Sequence, residues 1–416
     1  MKESRTVHFE QQIQKAWDFT FDKLYYPKTN SFYDFLTGNS IEETLDTFPT
    51  ADEIKNSIPN PCGWGTGMED STLNLCPMLE AILARYEITK EPEMQTYFDM
   101  VYQGLIQNGT IAPEPGFIVR CVSPVDGKSF YMDSSRDQYT NWVYAAHLLL
   151  GSELASEEQK NRLREVLVHI AQKAERNIQP EEGGYIHRLD GKPGIVCQID
   201  SANLGPHEFL RLPMFYMAAY EASADKHWLE KYLEIRERLL QWTENSFTVE
   251  WIKRVAHGYG RVFGSYQAQY SLRLLYDLEQ EESYRMRYYQ LMQNAAEGAT
   301  EYMKLAYENI DALSEAEPLF KPWRTLPAGE YRMFQGYAYY VPQSYQTSIT
   351  YKYLRNVSEV VLIQCLCPEY KMPEWEKEMF LEFVERLQFD KATCYWPLLF
   401  CDAWWLAKKT GQMKDL

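Results

Sequence analysis

The sequence predicts an all-α fold, an (α/α)6 toroid in which an outer ring of helices encloses an inner ring. Three observations lead to it. Apolar residues recur at helical spacing in about twelve segments, with little strand signal outside the connections. The connections alternate, long ones between odd and even helices and short ones between even and odd. The even helices are nearly uncharged, as in Tyr139-Thr140-Asn141-Trp142-Val143-Tyr144, whereas the odd ones carry a charged stripe, as in Glu157-Glu158-Gln159-Lys160-Asn161-Arg162. A helix apolar all round is buried and one with a polar stripe faces water, so the even helices form the inner ring and the odd ones the outer. Every long loop then lies at one end, over the N-termini of the inner helices. Nothing divides residues 1–416 into parts, so a single domain is expected.

The first helix is expected over residues 8–25, before an irregular stretch to 66 holding Pro27, Pro49, Pro59 and Pro61. Helix two spans 70–86, and Glu91-Pro92 starts helix three, which ends near 108. Val125-Asp126-Gly127-Lys128 reads as a hairpin turn between β-prone runs. Helix four spans 138–150, a short link over 152–156 leads to helix five, which ends near 177, and a glycine-rich loop with Gly183, Gly184 and Gly191 follows. Helix six runs from Pro206 to 221 and helix seven over 227–244. A loop with Gly258, Gly260 and Gly264 precedes helix eight, 265–278, and helix nine covers 283–312. The longest late loop, 313–355, carries Trp323, Arg324, Arg332 and a tyrosine cluster. Helices ten to twelve are expected at 357–365, 375–387 and 395–408.

Composition limits the partners. The formal net charge of −17 argues against nucleic acid or an anionic membrane surface, since both need basic patches. No apolar run approaches the roughly 18–20 residues of a membrane span. Met1-Lys2-Glu3-Ser4-Arg5 leads into an amphipathic pattern without an apolar signal core, so a cytoplasmic location is expected for the chain as written, or a periplasmic one if a leader has been removed. The 8 cysteines show no zinc spacing and are expected as buried thiols, with no metal and no cofactor. The sequence leaves the oligomeric state open. Its 31 tyrosines and 11 tryptophans suit a sugar-binding cleft and equally a large helical core.

In a toroid, residues just before each inner helix converge on one funnel. Helix two offers Trp64, Glu69 and Asp70 from the stretch Gly63-Trp64-Gly65-Thr66-Gly67-Met68-Glu69-Asp70-Ser71. Helix four offers Asp133-Ser134-Ser135-Arg136-Asp137-Gln138-Tyr139, and helix six offers His207 and Glu208. Helix eight is preceded by His257, Tyr259 and Arg261, and helix ten by Arg324, Arg332, Tyr337, Tyr339 and Gln343. Carboxylates from different helices facing one cleft are the equipment of glycoside hydrolysis, one protonating the departing oxygen and one acting as base or nucleophile. Tyr139 and Trp142 are placed to desolvate an acid at the mouth of helix four. Plainer readings exist: Asp70 and Asp137 as helix caps, His207-Glu208 as a polar helix start, His187 as a loop residue, and the tyrosines as wall packing. Walker, Rossmann and HExxH patterns are absent.

Through residues 63–71 and 133–142 and the twelve-helix layout, the chain resembles the six-hairpin glycosidases, most of all the unsaturated glucuronyl and rhamnogalacturonyl hydrolases and the β-glucuronidase-like glycoside hydrolase family 154. In the unsaturated-uronyl enzymes an aspartate opening an inner helix is the general acid/base and a second lies on a preceding inner helix. By position these match Asp137 and Asp70. Glu69-Asp70-Ser71 departs from the histidine–aspartate pattern usual in that group. The resemblance implies a uronate carboxylate held by polar and cationic side chains, with Arg136, Arg211, Arg324 and Arg332 as candidates.

The expectation is therefore a glycoside hydrolase acting on a uronic-acid-containing oligosaccharide. Asp137, Asp70, Glu69 and Glu208 are its candidate catalytic residues. Trp64, Arg136, Tyr139, Trp142, His187, His207, Arg211, Arg324, Arg332 and Tyr337 are its candidate binding residues. Three alternatives share the barrel. A sugar epimerase or isomerase would move protons with His187, His207 and His257. A polysaccharide lyase would pair Tyr and His with a neutralising Arg, and a non-catalytic glycan-binding toroid would use the aromatics alone.

Overall fold

In the computed structural model of the chain, residues 2–258, 261–326, 329–334, 337–342 and 348–413 are described, with backbone alone for 2–5, 329–334, 337 and 349. The inner ring consists of α2 (Ser71–Thr89), α4 (Arg136–Gly151), α6 (Arg211–Ser223), α8 (Phe263–Leu278), α10 (Ile349–Leu366) and α12 (Trp396–Lys409). Each packs on its neighbours in that order, and α12 returns to α2, so the ring closes. The outer ring consists of α1 (Lys2–Phe19), α3 (Glu93–Thr110), α5 (Glu157–Asn177), α7 (Lys226–Glu244), α9 (Glu282–Tyr307) and α11 (Glu374–Arg386). The chain ends meet where α1 lies on α12, through Phe9 against Trp404 and a Lys408–Glu10 ion pair of 2.5 Å. This is the all-α toroid that the alternation of charge and loop length predicts.

The inner helices are buried almost throughout because most of their side chains are apolar and few carry charge. The outer helices place charge outward and cap themselves, as Ser156 and Gln159 do reciprocally at the start of α5. Strand is confined, among the described residues, to three antiparallel ribbons: β1 (Tyr25–Tyr26) with β2 (Ser31–Phe32), β3 (Tyr185–His187) with β4 (Pro193–Gln198), and β5 (Gly329–Phe334) with β6 (Tyr337–Pro342).

Four expectations need correction. Helix α6 begins at Arg211 and not at Pro206, because residues 206–210 turn to deliver Glu208 into the cleft. Helix α10 begins at Ile349, eight residues before the expected 357, since Ser348 caps it by accepting from the Tyr351 amide. Its aromatic, β-prone first turns conceal that start. The loop before α8 contains a helix, Val249–Gly258, with Trp251 on it. Residues 125–128 do form a turn, with the Gly127 amide on the Ser123 carbonyl, but no strands flank it.

Halfway down the barrel, carboxyls from α2 and α12 meet in a fully enclosed layer. Burial pushes Glu80 up to about 7, while Tyr144 donates to it at 3.3 Å. Asp402 is completely buried, neither of its side-chain oxygens has a hydrogen-bond partner, and burial followed by the neighbouring Glu80 pushes it well above the usual carboxylate range. A raised carboxyl favours the folded state at low pH and costs stability as pH rises above the unfolded value toward the folded one. Asp402→Asn removes that cost. Its stability relative to wild type should climb by about 1.4 kcal/mol per pH unit from about pH 4 upward, read from denaturant melts at several pH values. A difference independent of pH would show that Asp402 is ionised in the folded barrel.

Candidate active site

A cleft of about 520 Å³ opens over the N-terminal ends of the inner helices. Its carboxylate wall comes from three consecutive helix mouths: Glu69 and Asp70 before α2, Asp137 in the first turn of α4, and Glu208 before α6. Facing them are Arg261 from the turn before α8, Phe263 at the start of α8 and Arg355 from α10, with Trp64 and Trp251 also in the lining.

The loop before α2 is set by Asp34, which lies just beyond β2. Its carboxylate accepts the Glu69 amide at 2.8 Å and the Asp70 amide at 3.2 Å, so both acids are presented at the helix start. Burial, then Asp70 and Glu69, push Asp34 well above the usual range. Gly65, at φ +80°, donates its amide to Glu69 at 3.0 Å, and a β-carbon there would sit 2.9 Å from Pro342. Arg120 underlies the pair. It donates to the Glu69 carbonyl at 3.0 Å, reaches Asp70 at 3.4 Å, and lies 5.9 Å from the Trp64 ring centre. Asp70 makes no side-chain capping bond, so the capping account does not apply to it.

At α4 the cap is Ser135, which accepts the Gln138 amide, and this frees Asp137 from that duty. Asp133 is wholly buried, taking the amides of Ser134 at 2.8 Å and Ile195 at 3.0 Å, and thereby pins β4 to the mouth of α4. Burial raises its carboxyl to about 6. Asp137 ion-pairs with Arg211 at 2.8 Å and keeps its side chain 25% exposed, against 4% for Glu208. Glu208 takes Arg136 at 2.8 Å, Arg211 at 2.5 Å and His207 at 3.0 Å. Burial opposes its ionisation, yet the Arg136 and Arg211 guanidiniums and then His207 hold it well below the usual range. His207 is wedged between Trp251, 5.8 Å away ring to ring, and Gly264, where a β-carbon would come within 2.8 Å of the imidazole.

The cleft thus gathers seven of the nominated residues: Trp64, Glu69, Asp70, Arg136, Asp137, His207 and Glu208. Others lie elsewhere. Arg211 is buried beneath the cleft floor, not offered to it. Tyr139 and Trp142 face away into the core, where Trp142 donates to the Leu105 carbonyl and Tyr139 accepts the Ile118 amide, so they desolvate nothing at the mouth. His187 sits in β3, and its amide is taken by Asn177, away from the cleft lining. Arg324 is bound to Glu53 and to the Thr47 and Phe48 carbonyls. His257 pairs with Glu301 on the outside. Tyr259, Gln343 and the side chains of Arg332 and Tyr337 lie outside the described residues. Sequence reading missed Arg120, Asp34, Trp251 and Arg355. Arg120 and Asp34 lie in irregular stretches without periodicity, while Trp251 and Arg355 sit within segments read as loop. Among the described residues no group of three or more His, Cys, Asp or Glu is arranged to hold a metal ion.

Glu208 supplies a direct test of the ion-pair floor. Glu208→Gln strands Arg136 and leaves Arg211 with one carboxylate, so unfolding free energy at pH 7 should drop by about 3–5 kcal/mol. Because the folded carboxyl is depressed, its stabilisation is present above the unfolded value and is lost as pH falls through the folded one. The gap between variant and wild type should therefore close on acidification. A gap that persists unchanged into strong acid would assign the loss to packing instead.

No protein-family profile matches the chain, and no curated protein does. Solved structures that resemble it include a sugar epimerase from a ruminal bacterium, at 11% identity and TM-score 0.47, covering 94% of this chain and 97% of that one. A variant of an α-1,6-mannanase of Salegentibacter sp. HEL1_6, solved with α-1,6-mannotriose, resembles it at 12% identity and TM-score 0.43, covering 98% and 99%. At such scores neither likeness decides between cleaving a sugar and isomerising one.

Proposed function

We propose that the chain is a glycoside hydrolase that cleaves a uronic-acid-containing oligosaccharide. The observation that carries this reading is the convergence of Asp70 and Asp137, from two adjacent inner helices, on one cleft floored by a fixed guanidinium. Glycosidic cleavage needs one carboxyl to protonate the leaving oxygen and another to act as base or nucleophile. Asp137, ion-paired to Arg211 and the more open of the two, is suited to the second task. Asp34, Glu69 and Asp70 are three carboxyls gathered around Arg120, and burial, then Asp70 and Glu69, push Asp34 well above the usual range. Of the two that line the cleft, Asp70 is more open than Glu69, whose carboxylate takes the Gly65 amide, and Asp70 is the one placed to protonate the leaving group. Glu208, held ionised between two arginines and His207, is a positioning residue that fixes Arg136 and Arg211.

A hydrolytic reading also fits the histidines better than proton shuttling does. Of the three nominated for an epimerase, His207 alone lines the cleft, and its Nε2 is occupied by Glu208. The uronate part of the proposal rests on Arg261 and Arg355, which line the cleft away from its carboxylate wall. It does not rest on Arg120, Arg136, Arg211 or Arg324, whose guanidiniums serve Asp70, Glu208, Asp137 and Glu53.

Release of reducing sugar from a panel of matched glucuronide and glucoside oligosaccharides tests the reading. Asp137→Asn and Asp70→Asn should each lower kcat by about 10²–10⁴-fold while leaving the melting curve cooperative. Conversion of a free sugar without bond cleavage would replace the hydrolase with an isomerase. Faster cleavage of the neutral substrates would remove the uronate.

A further inference from the structure

The cleft wall opposite Asp137 holds a second charge system that takes no part in the proton transfers proposed above. Helix α10 stands three places round the ring from α4, and Arg355, in its second turn, lines the cleft although the residue is only 7% exposed. Its guanidinium is fixed on every side but one. Nε pairs with Glu359 at 2.5 Å, Nη1 donates to the Tyr351 hydroxyl, and the Phe263 ring lies flat against it with its centre 4.0 Å from the guanidinium carbon. Tyr351 is itself held by the Tyr395 hydroxyl at 2.8 Å, which ties the arrangement to α12. Nη2 has no partner among the described residues.

Structure alone does not call for this pair. Glu359 is wholly buried, with one carboxylate oxygen unpartnered, and burial pushes its carboxyl up while Arg355 draws it down. A buried ion pair of this kind contributes little stability over a well-packed apolar pair. What it does provide is a desolvated, immobile cation whose remaining N–H groups face a cavity. Arg261 lines the same wall and adds to its positive potential.

We infer that Arg355 binds an anionic substituent of the substrate sugar, a carboxylate or a sulfate, and so sets which face of the ring meets Asp70 and Asp137. This rests on the hydrolase reading for the identity of the site, not for the binding itself. A planar guanidinium with its rotamer already fixed loses little entropy on forming charge-assisted hydrogen bonds. Asp137 and Glu208 on the facing wall repel the same anion. Attraction on one wall and repulsion on the other admit one orientation of a charged sugar and none in particular of a neutral one.

The test uses the full chain and free sugars, so it needs no turnover. Binding of glucuronate, glucose 6-sulfate and glucose is followed by NMR titration in wild type, in Arg355→Lys and in Arg355→Gln/Glu359→Gln. The double variant removes both buried charges together, and circular dichroism verifies that it folds. Wild type should bind at least one anionic sugar tenfold or more tightly than glucose, and both variants should lose that preference while keeping their affinity for glucose. Tighter glucuronate binding identifies a carboxylate ligand, and tighter sulfate-ester binding a sulfate. Equal affinity for all three sugars in wild type, or an undiminished preference in the folded variants, overturns the inference and leaves the hydrolase untouched. An Arg355-dependent preference in a protein that cleaves no oligosaccharide upholds the inference and sinks the hydrolase.

Discussion

A single buried guanidinium, that of Arg211, sets the geometry on which the site depends. It spans two helix mouths, pairing with Asp137 on α4 and with Glu208 ahead of α6, and a third bond runs to the Thr140 hydroxyl at 2.7 Å. Taking such a cation out of water is costly unless each face is answered by charge or a hydrogen bond, and this one is answered three times. The consequences reach the backbone. Residues 206–210 cannot continue α6 toward its expected start and still bring Glu208 under Arg136 and Arg211, so the chain turns there and the helix starts late. Asp137, released from capping by Ser135, is aimed at the cleft by a partner beneath it.

Asp34 performs the matching task for α2 by a different means. It collects two successive amides in place of a cation, and its own backbone is stitched to Gly67 on one side and Tyr395 on the other. The glycine-rich stretch before α2 is thus held between the first loop, the last inner helix and Pro342, which explains why Gly65 has no room for a side chain. Three glycines in five residues allow close approach to the backbone and φ values that side chains disfavour. In the fold they make room for the Tyr131 ring at Gly63, for Pro342 at Gly65 and for the Phe48 ring at Gly67.

The ring architecture was legible because it follows from a pattern that burial enforces along the whole chain: charge absent from even helices and striped on odd ones. The mouths followed from it, so Asp70, Asp137 and Glu208 could be placed on one cleft without knowing any pairing. Pairing itself was not legible. Arg136 adjoins Asp137 in sequence but points to Glu208, because successive helical side chains diverge by about 100°. Tyr139 and Trp142 were misplaced for the same reason: residues two and five positions beyond Asp137 fall on faces turned to the core. Arg120, which underlies both acids of α2, comes from a loop whose path no local rule specifies.

The two walls of the cleft share one construction. On each, a guanidinium is immobilised by a buried carboxylate, Arg136 by Glu208 and Arg355 by Glu359, and each pair sacrifices hydration that packing must offset. A closed double ring can absorb such losses, since its stability resides in apolar contacts away from the mouths, such as Phe380 stacked on Phe400 and the long seam between α2 and α12. The same closure fixes the separation of the walls, because no inner helix can shift without displacing two neighbours. Charges that would relax in a flexible protein are held apart here by the ring itself, and electrostatic preorganisation of that kind is what a reaction passing through a charged transition state requires.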